Sequence, residues 1–310
     1  MRSVGDGAEG PLSEVPDVDL AAVEAAVQDA IVRGDESGLR LLGHGEISLV
    51  VGWPADRPVV ACKRLPPFRS PAAANDYGGG FAEYLDVLVE RGVNPVPSRF
   101  EVIDGTSAST VAYVVQPVLE PDQLGTAVLR ATEPDPDHPV VLGVLEAVGR
   151  VCDERTGLDA QLSNWAWTGG GLRYLDVTTP MLFDAHGRVC LDLDLFLAAY
   201  PWALRWPIGR FVAPGVVGEY RDPRHVVVDL AANLLKERLE AWIPAVLDAV
   251  NAVVVSAGSP VVTEDEVRRY YRSDARLWEV MLRLRRADRW WQRRVRRRTY
   301  PFLLPGHIDR

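Results

Sequence analysis

The sequence predicts an α+β protein of two lobes, on three observations. Short apolar runs typical of strands occupy the first part of the chain, whereas helical periodicity dominates after residues 117–122. The composition, 47% hydrophobic and 25% charged, is that of a globular protein and excludes wholesale disorder. A chain of 310 residues is long enough to bury a substantial core. We therefore expect a flexible leader at 1–18, a sheet-bearing N-lobe at 19–118 and a helical C-lobe at 119–310.

The N-lobe is expected to begin with a helix and to continue as a sheet. Apolar residues recur at helical spacing as far as Val32, and Asp19 is suited to cap the helix start. A second helix is predicted at 81–91, where Gly92 ends it. Runs typical of strands, separated by turn-forming residues, lie at 39–42, 48–53, 59–65, 99–103 and 110–118.

The C-lobe is expected to be helical apart from one tight hairpin. Two short strand-like runs, 165–168 and 172–175, flank three consecutive glycines, which favour a turn. The helical patterns lie at 140–155, 193–206, 224–253 and 264–298.

The charge distribution is uneven. The net charge is −9, but residues 281–300 contain nine arginines and one acid, so the rest of the chain carries −17. An acidic body with a basic terminal helix disfavours a general nucleic-acid binder. No apolar run is long enough to span a membrane, no secretory leader is visible, and three scattered cysteines are typical of a reducing compartment. We expect a cytoplasmic protein.

The basic segment 281–300 has three interpretations. Its arginines surround Trp290 and Trp291, a combination typical of helices that lie on an anionic membrane surface. That interpretation implies peripheral attachment at the inner membrane face. The helix could instead dock onto the acidic body with its tryptophans buried, or contact nucleic acid, which the acidic body disfavours.

Two signals in the N-lobe indicate chemistry. The glycine-rich segment Gly43–Ser48 joins two strands, where glycines allow backbone N–H groups to approach a phosphate; a plain hairpin turn is the alternative. Lys63 lies within an apolar strand, where a buried lysine needs a partner. We predict Glu83 as that partner, with Glu90 as the alternative, unless Lys63 simply faces solvent.

A third signal lies in the C-lobe, around the predicted hairpin. Asp159 precedes Asn164 by five residues, and Asp176 follows a strand end. Their oxygen atoms are ligands that suit magnesium, which prefers to bridge substrate phosphates. The alternative is that Asp159 and Asn164 form turns and that Asp176 is a loop residue.

The order and spacing of these signals resemble the protein-kinase-like superfamily, and in particular its aminoglycoside-phosphotransferase-like branch, which acts on small molecules. Val60-Ala61-Cys62-Lys63 resembles the V-A-I-K motif, and Glu83 falls where the helix-C glutamate should. Asp159 and Asn164 reproduce the spacing of the catalytic loop, while Asp176 stands at the aspartate of D-F-G. The resemblance extends to an actinobacterial family whose substrate it does not identify.

This resemblance implies a two-lobed kinase-like fold and an ATP- and Mg²⁺-dependent phosphotransferase. The acceptor would be a hydroxyl of a small molecule or lipid headgroup. Asp159 would position or deprotonate that hydroxyl, Asn164 and Asp176 would hold magnesium, and Lys63 would contact the α- and β-phosphates. The residues implied in nucleotide binding are Gly43, Gly45, Ser48, Ala61, Lys63, Glu83, Gln116 and Val118.

Several positions depart from the family pattern. Gly157-Leu158 replaces the histidine before the catalytic aspartate, Val177-Thr178 replaces Phe-Gly, and Gln161 stands where kinases carry lysine or histidine. These departures leave two further hypotheses open: a nucleotide-binding pseudokinase scaffold, and a peripheral membrane adaptor. Asp192 and Asp194 are equally suited to bind substrate, to bind a second ion, or to cap a helix.

Overall fold

Five short strands pair side by side to form the sheet of the N-terminal part. The computed structural model describes residues 14–44, 48–104, 110–198, 200–211, 213–256, 258, 260–297 and 300. Each neighbouring pair of strands is antiparallel, in the order β1-β2-β3-β5-β4. The strands are β1 (Arg40–His44), β2 (Leu49–Trp53), β3 (Val60–Arg64), β4 (Arg99–Asp104) and β5 (Thr110–Pro117). All five lie where the hydrophobic pattern predicts strands.

Helices make up most of the remaining described chain. Two belong to the N-terminal part: α1 (Leu20–Arg33) and α2 (Pro71–Glu90). The others are α3 (Gly125–Arg130), α4 (Pro139–Val151), α5 (Asp194–Leu197), α6 (Trp202–Phe211), α7 (Ala213–Glu219), α8 (Pro223–Lys236), α9 (Ile243–Ser256) and α10 (Glu264–Arg294). A hairpin of β6 (Trp165–Thr168) and β7 (Gly171–Tyr174) lies between α4 and α5, at the predicted position. Among the helices described, none is long and apolar enough to cross a membrane.

The sheet is covered on both faces, which explains the apolar character of its central strands. Val60 and Cys62 of β3 pack with α1, in a core cluster that includes Val111 and Val115 of β5. Because side chains alternate along a strand, Ala61 and Lys63 face the opposite side, toward α2 and the C-terminal part. The pleat of β3 therefore directs Lys63 to the junction between the two parts.

Helix α1 is fastened to the sheet by a buried ion pair. Arg64 donates two hydrogen bonds to the carboxylate of Glu24, at 2.7 and 2.8 Å, and the Tyr113 hydroxyl donates a third at 2.6 Å. Glu24 and Arg64 are 2% and 5% exposed. Burial alone raises the pKa of Glu24, but its bonds with Arg64 hold that pKa below the ordinary value.

Helix α2 is about twice as long as predicted. It begins at the Ser70 N-cap, whose side chain accepts a hydrogen bond from the N–H of Ala73, and Pro71 occupies its first turn. Glycine has a low helix propensity, so the run Gly78–Gly80 led to a predicted helix that began only at residue 81. The glycine at 78 is required by packing, since a Cβ there would come within 2.8 Å of the Phe100 ring.

The predicted helix at 224–253 is two helices, α8 and α9. The chain turns between them at Arg238, whose φ of 57° is incompatible with a continuing helix, and Leu239 and Trp242 are buried in the turn. Because this turn contains buried apolar residues, as the helices on either side do, the hydrophobic periodicity did not reveal the break between them.

The last helix, α10, contains 31 residues. The hypothesis that it docks with its tryptophans buried is wrong, because Trp290 and Trp291 are 60% and 47% exposed. Its opposite side is buried at Arg285 and Asp288, which are 4% and 7% exposed.

The fold class is confirmed. An antiparallel sheet carries a helix between its third and fourth strands, and a mostly helical part follows after β5. This is the architecture of a two-lobed, protein-kinase-like fold. The two parts share one hydrophobic core, to which α2 and β5 contribute together with α4, α8 and α9.

Candidate functional site

Lys63 and Asp176 meet at the junction of the two parts. The Lys63 Nζ donates a hydrogen bond to Asp176 Oδ1 over 2.7 Å, and their side chains are 17% and 26% exposed. Burial alone raises the pKa of Asp176, but the charge and hydrogen bond of Lys63 hold it below the ordinary value. Asp176 is therefore an anion beside the only lysine of β3.

Thr178 holds the same carboxylate in place. Its Oγ1 donates to Asp176 Oδ1 over 2.6 Å. The carbonyl of Thr178 in turn accepts a hydrogen bond from the buried hydroxyl of Tyr77 on α2. Threonine at this position, a departure from the family pattern, thus fixes the orientation of Asp176.

Asp159 and Asn164 lie together in the loop before β6. The N–H of Gln161 donates to Asp159 Oδ1 at 3.2 Å, and the side-chain amide of Asn164 donates to the carbonyl of Asp159 at 3.3 Å. The N–H of Leu175 donates to the carbonyl of Asn164 at 2.8 Å, which ties this loop to the chain just before Asp176.

The environment of Asp159 favours its neutral form. Burial, together with the charges of Asp229 and Asp176, raises the pKa of Asp159 to about 7. A carboxyl group with a pKa near 7 is suited to act as a general base at neutral pH.

The predicted pairing of Lys63 with Glu83 is wrong in this structure. Glu83 is exposed, because the side of α2 that faces the junction carries the buried stripe of Tyr77, Phe81 and Tyr84 instead. The hydroxyl of Tyr84 donates to the carbonyl of Gly157 at 3.0 Å, two residues before Asp159. In place of an ion pair, α2 offers two tyrosines that bind the chain next to Asp159 and next to Asp176. Tyr77 and Tyr84 are seven residues apart, which places them on the same face of a helix, and this spacing could have predicted that they act together.

The remaining residues predicted for nucleotide binding lie around β1–β3 and β5. Ala61 is half-buried on the same face of β3 as Lys63, Gly43 pairs with Val50 beside an irregularity of β1, and Ser48 is 9% exposed. Gly45 lies outside the described residues.

Gln116 and Val118 are engaged in bonds within the protein. The side-chain amide of Gln116 donates to Ser98 Oγ at 2.9 Å and to the carbonyl of Leu175 at 3.0 Å. The N–H of Val118 donates to the carbonyl of Val59 at 3.2 Å, so the sheet uses that N–H. Gln116 thus positions the chain before Asp176.

A buried acid that sequence reasoning missed lies below this loop. Asp229 of α8 is 5% exposed, and its Oδ2 accepts a hydrogen bond of 3.2 Å from the side chain of Gln161. Burial raises the pKa of Asp229. The sequence did contain a sign of this residue, namely an aspartate within an apolar helical run. An aspartate in such a run is rarely buried unless it has a partner.

The acidic pair Asp192 and Asp194 forms ion pairs with an arginine of the same chain. The guanidinium of Arg69, just before α2, lies 3.2 Å from Asp192 Oδ2 and 3.3 Å from Asp194 Oδ2. The N–H of Asp194 also donates to Asp192 Oδ1 at 3.0 Å, as in a local turn.

The donor set at the junction suits magnesium in kind. No cluster of three or more His, Cys, Asp or Glu suited to hold a metal exists among the described residues. The Asp176 carboxylate and the Asn164 amide oxygen are protein oxygens of the kind that magnesium binds. Magnesium commonly takes one or two protein oxygens and completes its shell with phosphate and water, so two ligands suffice.

The chain was compared with protein families, curated proteins and solved structures. A family model described as a family of unknown function (DUF6206) matches residues 22–289. No curated protein matches the chain. Among solved structures, the chain is similar to the MAP kinase LmaMPK10 from Leishmania major, with 15% sequence identity and a TM-score of 0.31. That alignment covers 80% of this chain and 73% of the kinase chain.

Proposed function

This chain belongs to the DUF6206 family, whose function is unknown, and we propose that it is an ATP- and magnesium-dependent phosphotransferase. Its acceptor is a hydroxyl group of a small molecule or lipid headgroup, as in the small-molecule branch of kinase-like enzymes. The proposal is supported by three hydrogen bonds: Lys63 to Asp176, the Asn164 side-chain amide to the Asp159 carbonyl, and the N–H of Leu175, next to Asp176, to the Asn164 carbonyl.

Each residue has a role that follows from its chemistry. Lys63 binds phosphate oxygens through its ammonium group, for which Asp176 is the present counter-charge. Asp159 accepts the proton of the acceptor hydroxyl, since its raised pKa matches a base that works near neutral pH. A magnesium ion held by Asp176 and Asn164 would neutralise phosphate charge. Positioning and charge compensation carry most of phosphoryl transfer, so this small set is sufficient in kind.

A second candidate function is a nucleotide-binding pseudokinase scaffold. The observation that favours it is the exposed position of Glu83, which leaves Lys63 to pair with Asp176 instead. In kinases the lysine–glutamate pair orients the lysine toward the phosphates. A scaffold would bind nucleotide at the same residues but transfer no phosphate.

A labelled-ATP transfer screen tests the proposal. Sugars, aminoglycosides, polyols and lipid headgroups serve as acceptors, with Asp159→Asn as the variant and the exposed Asp86→Asn of α2 as the matched control. We expect transfer to at least one acceptor, and a loss in rate on the order of 10² to 10⁴ in Asp159→Asn alone.

Binding of Mg-ATP separates the two candidates. We expect ATP to raise the melting temperature only when magnesium is present, and Asp176→Asn to abolish that effect while Asp86→Asn preserves it. Magnesium-dependent binding without transfer to any acceptor would support the scaffold. If Asp176→Asn binds Mg-ATP as well as the wild type does, the metal role assigned to Asp176 is wrong.

A further inference from the structure

The C-terminal half of α10 has two faces of different character. Residues of an α-helix are about 100° apart, so Arg285 and Asp288 lie on the side opposite Trp290. Arg285 and Asp288 are buried, and the Gln292 side chain donates to Asp288 Oδ2 at 2.6 Å. Trp290 and Trp291 are exposed. The inner face is therefore covered, whereas both indoles are open to solvent, and beside them the Arg293 guanidinium lies against Gly34 at the end of α1.

The outer face combines arginines with exposed indoles. We call the set Arg283, Arg286, Trp290, Trp291, Arg293 and Arg294 the Arg–Trp face. Arg286, Trp290 and Arg294 follow each other at i, i+4 spacing, and four of the arginines of α10 line an open groove around Trp290. Val280, which is 52% exposed, lies one helical turn before Arg283.

Exposed indoles on this face need an explanation beyond folding. Tryptophan is among the most strongly apolar side chains, and two neighbouring indoles that are about half exposed are not part of the core. An indole is most favourably placed where one side is apolar and the other is wet, as at the surface of a membrane. Arginines within one helical turn supply the positive charge that anionic lipid attracts.

We propose that the Arg–Trp face binds the surface of an anionic lipid membrane. Charge complementarity selects this partner: residues 281–300 carry +8 while the remainder of the chain carries −17, so only this end is drawn to an anionic surface. A nucleic acid would use the arginines equally well, but it gives no role to the exposed Val280 one turn before them. The helix lies flat on the surface with its indoles at the headgroup level, and its buried inner face remains packed on the protein.

Vesicle co-sedimentation tests the proposal without any nucleotide, so its result is independent of the proposed phosphotransferase activity. The probes are phosphatidylcholine vesicles with and without phosphatidylglycerol. The triple variant Arg286→Gln/Arg293→Gln/Arg294→Gln is compared with Arg268→Gln/Arg269→Gln/Arg272→Gln, which removes the same charge from the first half of α10. Both sets lie on exposed positions, and circular dichroism verifies that each variant folds.

We expect binding to the anionic vesicles only, and weaker binding as salt is added. The first triple variant should lower the partition coefficient by about 100-fold, since each arginine near the surface contributes roughly 1 kcal/mol. The control variant should change it by less than about threefold. Trp290→Ala/Trp291→Ala should lower it by about 10-fold or more, because the indoles lose apolar burial.

Three results would overturn the proposal. The first is equal binding to vesicles with and without phosphatidylglycerol, and the second is an equal loss in the control variant. The third is binding of a short RNA duplex that requires the same arginines, without any vesicle binding, which would assign the face to nucleic acid.

Discussion

Lys63 illustrates how one residue was correctly identified and its partner was not. The sequence predicted that a lysine in an apolar strand needs a counter-charge, because burying an unpaired ammonium group is costly. The strand's alternation directs Lys63 to the junction, and the counter-charge there is Asp176, 113 residues further along the chain. Local spacing offered Glu83 and Glu90, whereas the actual partner depends on how the hairpin packs beneath the sheet.

Glu24 leads to a prediction about stability and pH. Both partners of its ion pair are nearly inaccessible, and breaking such a pair leaves an uncompensated charge. Glu24→Gln should therefore lower the free energy of unfolding by about 3 kcal/mol at neutral pH. Because the pKa of Glu24 is lowered from 4.5 in the folded state, this contribution is complete above that pH and is lost on acidification. The deficit of the variant should shrink as the pH falls below about 4.5.

Urea unfolding monitored at several pH values measures this effect. The exposed Glu90→Gln of α2 is the matched control, and it should change the free energy of unfolding by less than about 0.5 kcal/mol. A Glu24→Gln deficit that stays constant down to acidic pH would show that packing, and not the ion pair, causes it.

At the scale of elements, α2 is the helix that positions the site, through tyrosines and not through Glu83. Tyr77 and Tyr84 bind the backbone at Thr178 and Gly157, next to Asp176 and Asp159 respectively. Glu83 is exposed. A protein kinase would lose nucleotide binding or activity with its helix glutamate, and this chain should not.

We therefore predict opposite outcomes for two neighbouring residues. Glu83→Gln should leave the dissociation constant for Mg-ATP within about twofold of wild type, since it removes no contact with Lys63. Tyr84→Phe should lower the free energy of unfolding by about 1 kcal/mol and the transfer rate as well, because the Gly157 carbonyl loses its donor. Calorimetry measures the affinity for Mg-ATP, and the labelled-ATP assay measures the transfer rate. A tenfold loss of affinity in Glu83→Gln would instead indicate that Glu83 pairs with Lys63, as the helix glutamate does in protein kinases.

The elements themselves show which parts of the fold periodicity can predict. Strands β1–β5 and the β6–β7 hairpin were predicted because apolar runs bounded by glycine and proline have few alternatives. The start of α2 and the break between α8 and α9 were not, since both are decided by packing: Gly78 against Phe100, and Leu239 and Trp242 in the core. At the site, single residues were predictable by motif, whereas Tyr77, Tyr84 and Asp229 depend on tertiary contacts.

At the scale of the whole molecule, the two parts are joined by one core as well as by polar contacts. The same hydrophobic cluster contains Phe81 and Leu88 of α2, Val114 of β5, Leu158 of the loop before β6 and Leu230 of α8. Lys63, Gln116 and Tyr77 add hydrogen bonds across the junction. A contiguous core of this kind cannot be opened on one side without exposing apolar surface on the other.

We predict that the two parts unfold together, in one transition. Of the nine tryptophans, only Trp53 belongs to the sheet, so in Trp53→Phe the fluorescence reports on the C-terminal part while circular dichroism reports on the whole chain. The urea midpoints of the two signals should coincide, as expected for a two-state transition. The matched control, Trp206→Phe, removes an indole that is 71% exposed from the C-terminal part and keeps Trp53. Two separated midpoints in Trp53→Phe would mean that the shared core does not couple the parts, and that one part unfolds while the other remains folded.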